Sequence, residues 1–200
     1  FDTYFNYNLD YDLRNQPYQP SDGYRTVFNQ ELPITSSTYE IVNSIEYSKY
    51  QKLIGDMIGR FSIYSKAVNT ISGKDVRISK RAYIPPSKLR GFEPGKVGPI
   101  DNNDYIGGNY VTSINMSTTL PQLLPSLENT DFSFFMDAGN VWGVDGNSTI
   151  KENGKIRSAV GIGVDFLTPI GPLTFSLSQP ITKASTDTTQ SFRFNLGTSF

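Results

Sequence analysis

The stretch Phe192-Arg193-Phe194-Asn195-Leu196-Gly197-Thr198-Ser199-Phe200 alternates without a break. Phe192, Phe194, Leu196, Thr198 and Phe200 fall on one side of an extended chain; Arg193, Asn195, Gly197 and Ser199 fall on the other. Successive strand residues point to opposite faces, so this period of two describes a β-strand with one mostly apolar, aromatic face and one small or polar face.

The same pattern recurs upstream. Leu173, Phe175 and Leu177 alternate with Thr174, Ser176 and Ser178, and Val160, Ile162, Val164 and Phe166 alternate with Ala159, Gly161, Gly163 and Asp165. Phe132, Phe134, Met136 and Ala138 alternate with Ser133, Phe135, Asp137 and Gly139. Tyr110, Ile114, Met116 and Leu120 oppose Ser113, Asn115 and Ser117; Met57, Phe61 and Ile63 oppose Arg60, Ser62 and Lys66. Tyr39, Ile41, Ile45 and Tyr47 oppose Glu40, Ser44, Glu46 and Ser48. A weaker strand covers 24–32, with Arg25, Asn29 and Glu31 on one face, and a first strand sets Phe1, Phe5, Tyr7, Leu9 and Tyr11 against Asp2, Asn6, Asn8 and Asp10.

The expectation is an all-β chain of about nine strands, most of roughly 8–11 residues, with no capped amphipathic helix. Globular strands average about five or six residues, whereas a tilted strand needs about 9–11 to cross a bilayer. The connections suit that reading. Thr168-Pro169-Ile170-Gly171-Pro172 is a tight turn, 143–155 and 182–188 are longer and polar, and the longest connection, 67–108, is rich in glycine and proline. Short turns on one side and long loops on the other characterise membrane barrels. A soluble β-sandwich also alternates, but the polar face here is built from Ser, Asn, Thr and Gly, which suits a wet lumen better than a surface dense in Lys and Glu.

Composition narrows the chemistry. The chain has 18 basic and 19 acidic residues, so no basic field points to nucleic acid. It has no Cys and no His, which removes disulfides, Cys-ligated metals, the commonest general base and the Ser-His and Cys-His nucleophiles. The reading is therefore of a protein that is not an enzyme, with no catalytic residues, metal or cofactor. No signal peptide opens at Phe1, and nine strands fall short of the even number of a single-chain bacterial barrel. A piece of a larger barrel is expected.

Several short patterns carry nothing. Gly161-Ile162-Gly163 lacks the third glycine and the helix of a dinucleotide loop; its glycines instead leave space inside or relieve curvature. Asp101-Asn102-Asn103-Asp104 fails calcium-loop spacing and reads as a polar turn. Asn115-Met116-Ser117 and Asn147-Ser148-Thr149 match a glycosylation acceptor that arises readily by chance.

Asp137 stands apart. It shares a strand face with Phe135 and Gly139, and a carboxylate at membrane depth is costly unless paired. Arg90, in the long loop, is the candidate partner, since a guanidinium can clamp a carboxylate with two parallel hydrogen bonds. Spacing alone leaves two readings open: a lumenal ion pair, or a solvated arginine with Asp137 facing water.

Leu89-Arg90-Gly91-Phe92 resembles the loop motif of the POTRA-containing outer-membrane barrel superfamily, with Leu89 where valine is usual. Phe135-Met136-Asp137-Ala138-Gly139 resembles its partner strand motif, in the matching order and separation. Ser21 to Arg25, Ile106 to Asn109, Arg157 to Pro180 and Phe192 to Phe200 are similar to segments of the BamA-like branch. The resemblance implies the last nine strands of a sixteen-stranded antiparallel transmembrane β-barrel, spanning 1–200, with loop 67–108 inserted in the lumen and the first strands and POTRA domains outside this chain. It implies that the arginine of the first motif reaches the aspartate of the second, giving a plug tethered by one ion pair.

Phe192, Phe194, Gly197 and Phe200 look like the terminal-strand signal by which assembly machinery recognises client barrels, and the strand that carries them would form half of a gate. The implied function is folding and insertion of barrel proteins into the bacterial outer membrane. The implied partners are nascent outer-membrane proteins, membrane lipids and accessory lipoproteins, with no nucleic acid. A translocation pore of the same superfamily, of the two-partner secretion or TamA-like kind, is the alternative, and a passive porin is the alternative of another class.

Overall fold

A computed structural model describes residues 1–121, 130–146, 150, 152, 154–168 and 171–196. Nine strands form one sheet: β1 (Thr3–Asp12), β2 (Gly23–Thr35), β3 (Glu40–Lys52), β4 (Ile58–Thr70), β5 (Tyr110–Pro121), β6 (Thr130–Trp142), β7 (Arg157–Thr168), β8 (Gly171–Thr182) and β9 (Phe192–Leu196). They are ordered in the sheet as in the chain, and each neighbouring pair is antiparallel. This is a meander, in which every strand pairs with the next, and a long loop is inserted between β4 and β5.

Among the described residues the strands fall where the sequence reading placed them, and the boundaries shift outward. β4 continues to Thr70 and β5 begins at Tyr110, so the long loop spans 71–109 instead of 67–108. β2 extends through Pro33 to Thr35. Its partner β1 carries a register irregularity between Thr3 and Tyr4, beside the Tyr4–Pro33 pair, where proline can offer no N–H to the ladder. At the end opposite the long loop, the β3–β4 connection is the tight turn 53–57, while 13–22 is longer than a tight turn. The loops 71–109, 143–156 and 183–191 share the other end, together with the short 36–39 connection. Among the described residues no α-helix occurs; two single 3-10 turns, Ile78–Lys80 and Pro86–Lys88, lie in the long loop.

The two sheet faces reverse the distribution of a water-soluble protein. Phe61, Ile114, Met116, Phe134, Met136, Ile162, Leu177, Phe192, Phe194 and Leu196 are exposed. The opposite face buries Ser48, Ser62, Ser113, Asp137, Arg157, Ser176 and Arg193. The long loop covers that polar face and supplies its core. Val76, Ala82, Ile84, Leu89, Phe92 and Val97 of the loop pack on Val68, Val111, Val141 and Ala159 of the strands. The part of the polar face under the loop thus packs against apolar side chains of the loop. Each fully buried side chain of this size contributes about 1.5–3 kcal/mol, so the loop is part of the fold and not an appendage.

Candidate functional site

The loop's route is set first by its neck. Ala82 and Gly108 bridge as an antiparallel pair, with N–H···O distances of 2.7 and 3.0 Å, and return the chain to β5. Between them the Pro86–Lys88 turn lowers the chain onto β5, where Asn115 Nδ2 donates to the Lys88 carbonyl at 2.8 Å. Lys88 is buried and bonds Glu46 of β3; burial pushes its ammonium pKa down, against the pull of that carboxylate.

Arg90 then meets Asp137. Arg90 Nε and Nη2 donate to Asp137 Oδ2 and Oδ1 at 2.7 and 2.8 Å, and the Arg90 backbone N–H donates to Oδ2 at 3.0 Å. Asn115 Nδ2 adds a bond to Oδ1 at 2.9 Å. Asp137 is fully buried, and both its oxygens are satisfied by donors from Arg90 and Asn115, as a buried carboxylate requires. The guanidinium carbon lies 3.4 Å from the Phe135 ring centroid, so the aromatic of the strand motif stacks under the arginine of the loop motif.

Each remaining motif residue has a steric role. Phe135 occupies the polar face because Gly161 lies opposite it in register; a Cβ there would stand 2.4 Å from Phe135 Cζ. Gly139 clears Ile84 of the loop, whose Cδ1 would lie 3.1 Å from an added Cβ. Gly91 has φ +89°, and a Cβ would lie 2.8 Å from Ala159 Cβ. Leu89 and Phe92 belong to the buried core. The structure thus brings Leu89, Arg90, Gly91 and Phe92 together with Phe135, Asp137 and Gly139.

Phe192 and Phe194 stand on the other face, exposed, on β9. Gly197 and Phe200 lie outside the described residues, as do Pro169 and Ile170 of the tight turn.

The ion pair is not the loop's only tether, which corrects the expectation of a single one. Arg77 binds Glu40 of β3 and Asp2, at 2.8 and 2.6 Å, and Tyr4 of β1; the bonds to Glu40 and then Asp2 push the guanidinium pKa above its ordinary value. Lys80 meets Glu31 of β2 at 2.5 Å. At the far side, Gly91 and Phe92 pair as a two-residue ladder with Gln190 and Thr189. Arg193 of β9 donates to the carbonyls of Pro86 and Phe92. A loop of this length needs tethers on several strands to hold one conformation, because a single pair leaves most of its chain entropy unopposed.

Sequence reasoning missed these contacts, and it also missed Arg157. That residue opens β7, is fully buried, and reaches Asp187 of the 183–191 loop through Nε and Nη2 at 2.9 and 3.0 Å. The available signal was an arginine on the polar face of a predicted strand, a position that demands a partner. Among the described residues no cluster of His, Cys, Asp or Glu could hold a metal.

Comparison with known proteins agrees with this architecture. The sequence model described as the Omp85 superfamily domain matches residues 1–200. The outer membrane protein assembly factor BamA of Neisseria meningitidis serogroup B is 26% identical over 219 residues, covering 90% of this chain and 26% of that protein. The human sorting and assembly machinery component 50 homolog is 29% identical over 139 residues, covering 65% of this chain and 29% of that protein. The chain therefore spans between about a quarter and a third of these relatives. In structure it is similar to BamA from Haemophilus ducreyi lacking POTRA domains 1–3, with a TM-score of 0.84 and 23% identity, over 96% of this chain and 41% of that one.

Proposed function

Because this chain belongs to the Omp85 superfamily, we propose that it is the C-terminal barrel portion of an outer-membrane assembly factor that folds and inserts β-barrel proteins. The missing portion is then the first strands of a sixteen-stranded barrel and the POTRA domains before them. A share of 41% of the similar solved chain is consistent with such a remainder. The two sets of relatives are a bacterial outer membrane protein assembly factor and a human sorting and assembly machinery component, which favours assembly over translocation. The place of this chain is the bacterial outer membrane, and its role is not enzymatic.

The observation that carries the reading is the placement of β9. It stands at an end of the sheet order, turns Phe192, Phe194 and Leu196 outward, and is tied from behind to the inserted loop. A terminal strand presented in this way offers backbone donors and acceptors to an incoming strand, while its outward aromatics stay in lipid. The client's strand replaces the first barrel strand as partner, so hydrogen bonds are exchanged one for one and little net energy is needed. The Arg90–Asp137 clamp holds the loop in the lumen and braces the wall while the opposite seam opens. Nascent outer-membrane proteins, lipids and accessory lipoproteins are the partners.

The test is depletion of the full-length protein in its host, complemented by wild type, Arg90→Ala or Asp137→Ala. The assembled, heat-modifiable fraction of several unrelated outer-membrane barrels should fall on depletion and remain low with either variant. Normal barrel levels together with loss of one exported substrate would instead identify a translocation pore. Normal barrel levels together with steady conductance independent of Arg90 would identify a porin.

A further inference from the structure

The lead-in to β9 is held by the loop and not by β8. β8 and β9 pair from Leu173–Leu196 to Leu177–Phe192, and the Ser178 N–H still donates to the Ser191 carbonyl at 2.7 Å. Continuing that register sets Pro180 opposite Thr189. Alternate pairs of an antiparallel ladder exchange hydrogen bonds, so the next donor in this series would be the amide of residue 180. Proline has none. The chain leaves β8 at this point. Thr189 and Gln190 pair with Phe92 and Gly91 instead. The Glu93 N–H donates to the Thr188 carbonyl at 2.9 Å, and the Thr188 N–H donates to the Lys96 carbonyl at 3.3 Å.

Arg193 locks this arrangement. It is buried on the polar face, and its Nη1 and Nη2 donate to the carbonyls of Pro86 and Phe92, on either side of Arg90 in the chain. Nη2 also reaches Gln190 Oε1 at 3.3 Å. The loop acceptors are backbone oxygens, so Arg193 recognises the path of the loop and not a charge on it. A planar fork can reach two carbonyls at once; a lysine ammonium is a single point at the end of a flexible stem.

We propose that Arg193 is a positioning residue for the terminal strand: it latches β9 to the inserted loop, so that the loop and the strand proposed to template clients move as one body. The functional consequence rests on the assembly reading above; the latch itself does not. Losing it loosens Thr189–Gln190, for which Pro180 offers no substitute donor, and β9 frays from that end.

Hydrogen exchange on the full-length protein in lipid nanodiscs tests the latch. Arg193→Ala should speed exchange of the amides in 189–196 by about tenfold, with β5 and β6 unchanged, and Arg193→Lys should restore only part of the protection. Should Arg193→Ala fail to accumulate, Arg193→Lys alone should still show faster exchange confined to 189–196. Unchanged exchange there, or equal acceleration in all strands, overturns the proposal. Barrel assembly is scored separately in the same strains. A protein that proved to be a translocator would keep the exchange pattern, so failure of the functional reading and failure of the latch are separate results.

Discussion

Asp137 takes hydrogen bonds from three nitrogens of Arg90, two of the guanidinium and one of the backbone. The backbone bond matters as much as the charge. It requires the loop itself, and not only a long side chain, to approach β6, which it does because Gly139 of β6 carries no Cβ against Ile84 of the loop and Gly91 carries none against Ala159 of the neighbouring β7.

Removing one partner of this buried pair strands the other. Arg90→Ala and Asp137→Ala should each cost about 3–5 kcal/mol. The double variant should cost clearly less than their sum, as read by urea unfolding in lipid. Additive costs would mean that the two side chains act independently. Arg90→Lys should also destabilise, because an ammonium loses both the fork and the stacking on Phe135.

Gly91→Ala meets two separate penalties, a φ of +89° and a Cβ 2.8 Å from that of Ala159. A loss of about 1–3 kcal/mol is expected. Adding Ala159→Gly should recover the steric part and leave the conformational part. Full recovery would show that the backbone tolerates this conformation without glycine.

Met136 points outward from β6 beside Asp137, which points inward. If the outward face meets lipid, Met136→Arg should cost about 2–4 kcal/mol, whereas Lys96→Glu on the exposed loop surface should stay within about 0.5 kcal/mol. Equal tolerance of both, measured by the heat-modifiable gel shift and by unfolding, would contradict the orientation of the sheet.

Asp187→Asn should loosen the 183–191 loop, because Arg157 is fully buried and loses its carboxylate. Limited proteolysis should then cut within 183–191 before any other described loop. A cleavage pattern identical to wild type would show that Asn140, which also accepts from Arg157, is sufficient.

The strands were legible because their signal is local. Phe134, Phe135, Met136 and Asp137 take alternate faces whatever lies around them, so the strands and the face of each residue follow from a period of two, while their order in the sheet does not. The Arg90–Asp137 pair was legible by a different route, from a buried-carboxylate argument joined to a motif resemblance; spacing alone left it open. Nothing local marked Arg193 as a ligand of two carbonyls, because a backbone acceptor is the same at every residue and leaves no trace in the sequence. Phe135 was placed on the right face, but the reason it fits there is Gly161, which only the register of β6 against β7 sets opposite it.

The sequence by itself determined the strands, their two faces and the residues of both motifs, since each depends on neighbours one to four positions away. Only the tertiary structure decided that the apolar residues of the loop make their core on the polar face of the sheet. It alone showed that several tethers hold the loop where one was expected, and that the lead-in to β9 pairs with the loop and not with β8. Those outcomes depend on where segments about 50 to 100 positions apart meet. Such meetings are selected by packing, register and unmade hydrogen bonds, none of which is a property of a single stretch of chain.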